Sequence, residues 1–257
     1  DDDAITAGNP LFGLMIAFAV LGVLICLLLF GAFFRKRHTR VIAMSDWRFT
    51  SAFLLGCALM NVSTLSFLGP NDDWLCMSRM WAFHGSFALT FSPLFVKTYR
   101  MMKLVGAGGR GRRKKITHRT AAIYCLPIVA VQVVILTIFS VVDPSKQTEI
   151  IENTEPDVTQ RIVCSHETNA FFITELVYEG GLLLLGCVLA FKTRHLKGDF
   201  GESRQLIFTM YDIAVVGSVI VIVTNVVGNY QAGRRVLYSI GIFWGTVFSC
   251  CVFVLPR

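Results

Sequence analysis

The chain has 257 residues, of which 54% are hydrophobic and only 16% charged, with a formal net charge of +7. A water-soluble globule carries roughly 25% charged residues, so this composition excludes an ordinary soluble domain. The apolar residues also fall in blocks, each long enough to cross about 30 Å of hydrocarbon as a helix of about 20 residues.

Seven such blocks are read from the sequence, at about 10–34, 49–68, 74–100, 120–142, 169–191, 206–228 and 236–255. Lipid offers the backbone no hydrogen-bond partner, so each block is expected to be a helix. None shows the two-residue alternation of a membrane β-barrel. The first block is too long for a signal peptide. It follows the acidic run Asp1, Asp2 and Asp3 and lacks a small-residue cleavage site. The expected fold is an all-α membrane protein, a single bundle of seven transmembrane helices spanning 1–257.

Loop charge sets the orientation. The first loop carries Arg35, Lys36, Arg37, Arg40 and Arg48, and the third carries Arg100, Lys103, Arg110, Arg112, Arg113, Lys114, Lys115 and Arg119. The fifth is bordered by Lys192, Arg194, Lys197 and Arg204. The second and fourth loops are acidic, with Asp72, Asp73, Asp143, Glu149, Glu152, Glu155, Asp157 and Glu167. The N-terminus is therefore placed outside and the C-terminus inside. Arg234 and Arg235, in a short outer loop, run against this placement. The basic loops suit anionic lipid or a cytosolic partner, or serve only to set topology.

In chain order, helix 1 is featureless apart from small residues suited to close packing. Helix 2 holds Asn61 in an N-V-S sequon, read as a packing or hydrogen-bonding residue because mid-membrane it is out of reach of glycosylation. Cys76 opens helix 3 and Cys164 closes the long fourth loop. Both lie on the oxidising side, where disulfides persist, so they are expected to pair. The other six cysteines, Cys26, Cys57, Cys125, Cys187, Cys250 and Cys251, lie inside apolar blocks and read as small hydrophobes.

Charges inside the blocks are costly and mark polar contacts. They are Arg79, Lys97, Glu175, Glu179 and Asp212. Glu175 and Glu179, four apart, share a helix face, and Arg79 lies at a similar depth to Glu175, so a bridge between those two is one expectation. His84 is the only histidine inside a block and reads as a satisfied core residue. Lys97, one turn above the inner end of helix 3, is open to two readings: snorkelling to the headgroups or bridging to Glu202 at the start of helix 6. Glu202 alone suits helix-start electrostatics.

Several stretches together resemble the membrane domain of GABA-B-type receptors, within the class C G-protein-coupled receptors. They are RVIAMSDWRFTSAFLLGC (40–57), CMSRMW (76–81), FVKTYR (95–100), VDPSKQTEI (142–150), YEGGLLLLGCVLAFKTRHL (178–196), ESRQLIFTMYDIAVV (202–216) and FVLPR (253–257). The resemblance implies a receptor at the plasma membrane, not an enzyme. It implies a disulfide between Cys76 and Cys164 and an ionic lock between Lys97 and Glu202 that holds the inactive state. Arg37, Arg40, Lys103, Arg110, Arg112, Arg113, Lys114, Lys115 and Lys197 would then face a heterotrimeric G protein. A Venus-flytrap ligand domain is expected upstream, and a homo- or heterodimer partner is expected through the membrane domain. Membrane lipids are the remaining expected partner; no cofactor, resident metal or nucleic acid is expected. Two departures stand out. Pro256 is followed by Arg257 where the family usually has lysine, and Glu179 stands where these receptors tend to carry lysine.

Three rival classes fit seven apolar blocks less well. A retinal protein needs a lysine in its last helix, and none follows Lys197. A hydrolase motif such as HExxH or GxSxG is absent. A transporter using Glu175, Glu179 and Asp212 as a polar pathway is the alternative, against which stand the lack of repeat halves and of paired broken helices.

Overall fold

A computed structural model describes residues 10–35, 47–68, 71–106, 118–154, 157–193, 201–226 and 231–254. Seven long helices occupy the positions of the seven apolar blocks: α1 (Pro10–Arg35), α2 (Trp47–Ser63), α3 (Asp73–Gly106), α4 (His118–Val142), α5 (Ala170–Thr193), α6 (Gly201–Val226) and α7 (Gln231–Val254). A short 3-10 turn, Thr64–Phe67, finishes α2. Six of the seven helices are long and apolar enough to cross a membrane. The exception is α3, because it carries the charges, Arg79 and Lys97 among them.

The helices outrun the hydropathy blocks at their polar ends. With 34 residues, α3 is about 50 Å long at 1.5 Å per residue. Hydropathy falls at Lys97 and Arg100, but nothing there breaks a helix, so α3 continues past the lipid on the inner side. Pro93 and Pro127 both lie inside continuous helices, as neighbouring helices permit in a membrane.

The bundle is built around α3, which packs against α2, α4, α5 and α6, while α1 and α7 close the ring against α2 and each other. One feature of α2 allows its close approach to α3. A Cβ on Gly56 would sit 2.7 Å from the Thr90 Cα of α3, so only glycine lets the two backbones meet there. The main core lies in the inner half and draws on Cys26, Phe33, Phe53, Leu54, Phe91, Leu94, Leu206, Met210, Cys250 and Phe253. Outward-facing side chains are apolar instead of charged: Val177 and Leu184 are each 70% exposed, as expected where lipid replaces water. Asn61 is fully buried and ties α2 to α7, its Nδ2 donating to the Cys57 carbonyl at 2.9 Å and to Thr246 Oγ1 at 2.8 Å.

The fourth loop holds an element that hydropathy does not reveal. Lys146–Thr154 (β1) and Asp157–Ser165 (β2) form an antiparallel hairpin, with Gln147 opposite Cys164. The hairpin is anchored to the bundle at several points. A disulfide joins Cys76 of α3 to Cys164 of β2. The Gln147 N–H donates to Asp73 Oδ1 at 2.7 Å, and Asn71 Nδ2 donates to the Ile162 carbonyl.

Asp143 fastens the far end. Its carboxylate accepts the Thr168 hydroxyl at 2.7 Å and the Glu167 and Thr168 N–H groups at 2.9 and 3.2 Å. These donors hold its pKa below the ordinary value of 3.8, the Thr168 hydroxyl most of all. A folded-state value below the unfolded one stabilises the fold above the unfolded value, and that gain is lost as pH falls through the folded one. The thermal stability of the parent should therefore exceed that of Asp143→Asn at neutral pH, and the gap should close below about pH 3.8. A constant gap across that range in paired melts would remove Asp143 as the cause.

Candidate functional site: a polar column through the bundle

Three polar layers lie along α3. The outer layer is a knot around Asn71, which is 5% exposed. Its Oδ1 accepts Arg79 Nη1 at 2.6 Å and also Arg235 Nη2. Arg79 Nε donates to the Ser66 carbonyl at 2.7 Å, and Arg235 Nη1 to that of Phe67 at 3.4 Å. Two guanidiniums thus converge on one amide oxygen and on the carbonyls of the 3-10 turn. This accounts for half of the topologically awkward pair: Arg235 is a buried structural residue, not a loop charge.

The middle layer joins α3, α4 and α5. Gln132 Nε2 donates to both Glu175 oxygens, at 2.8 and 3.0 Å. His84 Nδ1 lies 2.9 Å from Glu179 Oε1 and 3.6 Å from Glu175 Oε2. Glu175 and Glu179 do share a face, as their spacing implies, and both meet His84. The expected Arg79–Glu175 bridge does not form. Arg79 is drawn toward the outer mouth by Asn71 and the Ser66 carbonyl, while Glu175 is engaged by Gln132 and His84. Asp212 of α6 stands apart from this layer, its Oδ2 accepting Ser249 Oγ of α7 at 3.1 Å.

The inner layer contains Lys97, 6% exposed. Its Nζ lies 4.5 Å from the centre of the Phe253 ring of α7, within cation–π range. Phe253 in turn packs on Phe53 of α2, ring centres 5.1 Å apart. A buried ammonium held over an aromatic ring is not a snorkelling one. Arg100, one turn further in, lies 5.5 Å from the ring centre of Phe49. Glu202 begins α6, which packs on α3, but its side chain lies outside the described residues. So do Arg37, Arg40, Lys103, Arg110, Arg112, Arg113, Lys114, Lys115 and Lys197.

Comparison with known proteins agrees with the seven-helix fold. The family model described as "7 transmembrane sweet-taste receptor of 3 GCPR" matches residues 5–257. The chain belongs to the class C G-protein-coupled receptors. Among curated relatives of this class C receptor, gamma-aminobutyric acid type B receptor subunit 2 of Caenorhabditis elegans is 26% identical over 96% of the chain. The proteins of the same name from Rattus norvegicus and Homo sapiens are each 23% identical over 95% of the chain. The chain spans 31% of the nematode relative's length and 28% of the rat and human ones. It is the seven-helix signalling module of a class C receptor, a multi-pass protein of the plasma membrane and not an enzyme. The family assignment replaces the transporter alternative.

Gln132 and Asn71 join the column unforeseen from sequence, and His84 and Arg235 join it in roles other than the core residue and loop charge their sequence positions suggest. A signal existed for two of them. Gln132 interrupts an otherwise apolar run, and His84 is the lone histidine of the apolar blocks. Asn71 sits in a loop beside two aspartates, where nothing distinguishes it from an exposed turn residue.

Proposed function

We propose that this module relays activation from an extracellular ligand-binding domain, in a homo- or heterodimer, to a cytosolic heterotrimeric G protein. The observation that carries the reading is the buried Lys97 at the inner end of α3, where α3, α6 and α7 meet. An ion pair from Lys97 to Glu202 would hold those helices together and keep the inner face closed. Activation weakens that hold and opens the inner face to the G protein, for which the basic residues of 103–119, with Arg37, Arg40 and Lys197, are the proposed contacts. The lock biases the equilibrium only by its strength in one state relative to the other, about 1–3 kcal/mol for a typical coupling.

The reading rests on family membership and on the position of Lys97, and the loop charges test its G-protein half. Replacing Arg110, Arg112, Arg113, Lys114 and Lys115 with serine removes five positive charges from the proposed contact. Nucleotide exchange on the G protein should fall by about tenfold or more, since fields of this kind raise association rates by 10–10³. Surface expression should be unchanged. Exchange at the parent rate in the serine variant would remove the loop from the contact.

A further inference from the structure

The His84–Glu175–Glu179 cluster is a layer that the signalling reading does not use. Its ligand-type atoms, His84 Nδ1 and one carboxylate oxygen from each glutamate, all lie within 4.8 Å of one another. A tetrahedral zinc-type ion with ligands at about 2.0–2.2 Å requires them about 3.3–3.6 Å apart. The two distances from His84, 2.9 and 3.6 Å, bracket that separation. Small rotations of the side chains would close the set.

Charge balance points the same way. Two carboxylates inside a bundle are expensive unless neutralised. Among the described residues, the partners of Glu175 and Glu179 are His84 and Gln132; no lysine or arginine pairs with either. A neutral imidazole with two carboxylates carries a charge of −2, which one divalent cation cancels. The side chains of His84 and Glu179 retain 16% and 15% of their exposure, so the cluster is not sealed.

A second observation comes from Gln132. This residue is 1% exposed, and its Oε1 is buried with no hydrogen-bond partner. It belongs to the amide that lies against Glu175, and amide oxygen and nitrogen exchange places by a half-turn. A half-turn that exchanges Nε2 for this oxygen would bring it to the Glu175 side, in place of the two hydrogen bonds made there now, as a fourth donor to an ion held by the other three.

We propose that α3, α4 and α5 form an intramembrane site for a divalent transition-metal ion of the zinc class, ligated by His84, Glu175 and Glu179 with Gln132 as the fourth donor. An imidazole with carboxylates suits such ions, whereas calcium and magnesium prefer all-oxygen sets. Occupancy would clamp α3 to α5 across the middle of the bundle. Any conformational change that separates those helices would then be opposed by the ion.

Cobalt(II) is a suitable probe, because a tetrahedral site gives visible absorption bands. The test uses the full-length receptor purified into lipid nanodiscs, stripped with chelator and titrated with Co2+, followed by Zn2+. The parent should bind one more equivalent of tetrahedral Co2+ per chain than His84→Ala or Glu179→Gln, and Zn2+ should displace it. Zn2+ should also raise the melting temperature of the parent but of neither variant. Asp212→Asn and His166→Ala, outside the cluster, should keep the full signal. Glu179→Gln keeps the side chain's shape and removes its charge, so weaker Co2+ binding there, with an unchanged melting temperature of the metal-free protein, reads ligation and not collapse. Equal Co2+ spectra in parent and His84→Ala would overturn the site. So would a cluster that responds to pH alone, with no shift on adding either metal.

Discussion

Replacing Cys164 with serine is expected to lower the stability of the outer half of the bundle by about 2–5 kcal/mol, the usual range for a native disulfide. The sequence separation of 88 residues argues for the upper end, since long closed loops restrict the unfolded chain most. The bilayer argues for the lower end, because α3, α4 and α5 are already confined as spans before the bond closes. The second effect is the larger one here, which places the change nearer 2 than 5 kcal/mol. Cys76→Ser should match it, and the double variant should be no worse than either single, because one bond is lost in all three. Melting curves of the purified proteins under matched lipid conditions decide this. Additive losses would mean that the cysteines act separately.

The second large effect is at Asn71. Substituting alanine removes the acceptor shared by Arg79 and Arg235 and the donor to the Ile162 carbonyl. Hydrogen bonds to charged groups contribute about 1.5–3 kcal/mol each, and leaving buried donors unmade is what makes their loss severe. Asn71→Ala should therefore destabilise by about 3 kcal/mol. Asn71→Asp keeps an acceptor and adds a negative charge between two guanidiniums, so it should lose far less despite losing the donor. The comparison of the two melts separates the knot from a loop effect. If aspartate is as damaging as alanine, the guanidiniums do not depend on this position.

Much of the architecture is legible in the sequence, for one reason. Lipid removes the alternatives to a helix, so a long apolar run such as 10–34 has one outcome, and α1 ends within a residue of it. The ends of α3 and α6 are less legible. There the chain is helical but polar, and hydropathy reports lipid and not helix. The β1–β2 hairpin was hidden because its charged strands lie outside the membrane and owe their position to anchors far away in sequence. Among the polar residues, the four-residue spacing of Glu175 and Glu179 correctly implied a shared face. It could not name their partners. Depth alone paired Glu175 with Arg79, whereas rotation about the helix axes gave it Gln132 and His84. Arg235 likewise reads as a topology charge until its burial against Asn71 is seen.

The central claim concerns the inner end of α3, and basal G-protein activation in cells tests it most directly. Full-length receptor, Lys97→Ala, Glu202→Ala and the double variant would be compared at matched surface expression. If Lys97 and Glu202 form the lock, each single variant activates more than the parent, by a factor within the 5–150-fold span of typical couplings, and the double variant adds little. Basal activity unchanged in both singles, or raised additively in the double, would contradict a lock between these two residues.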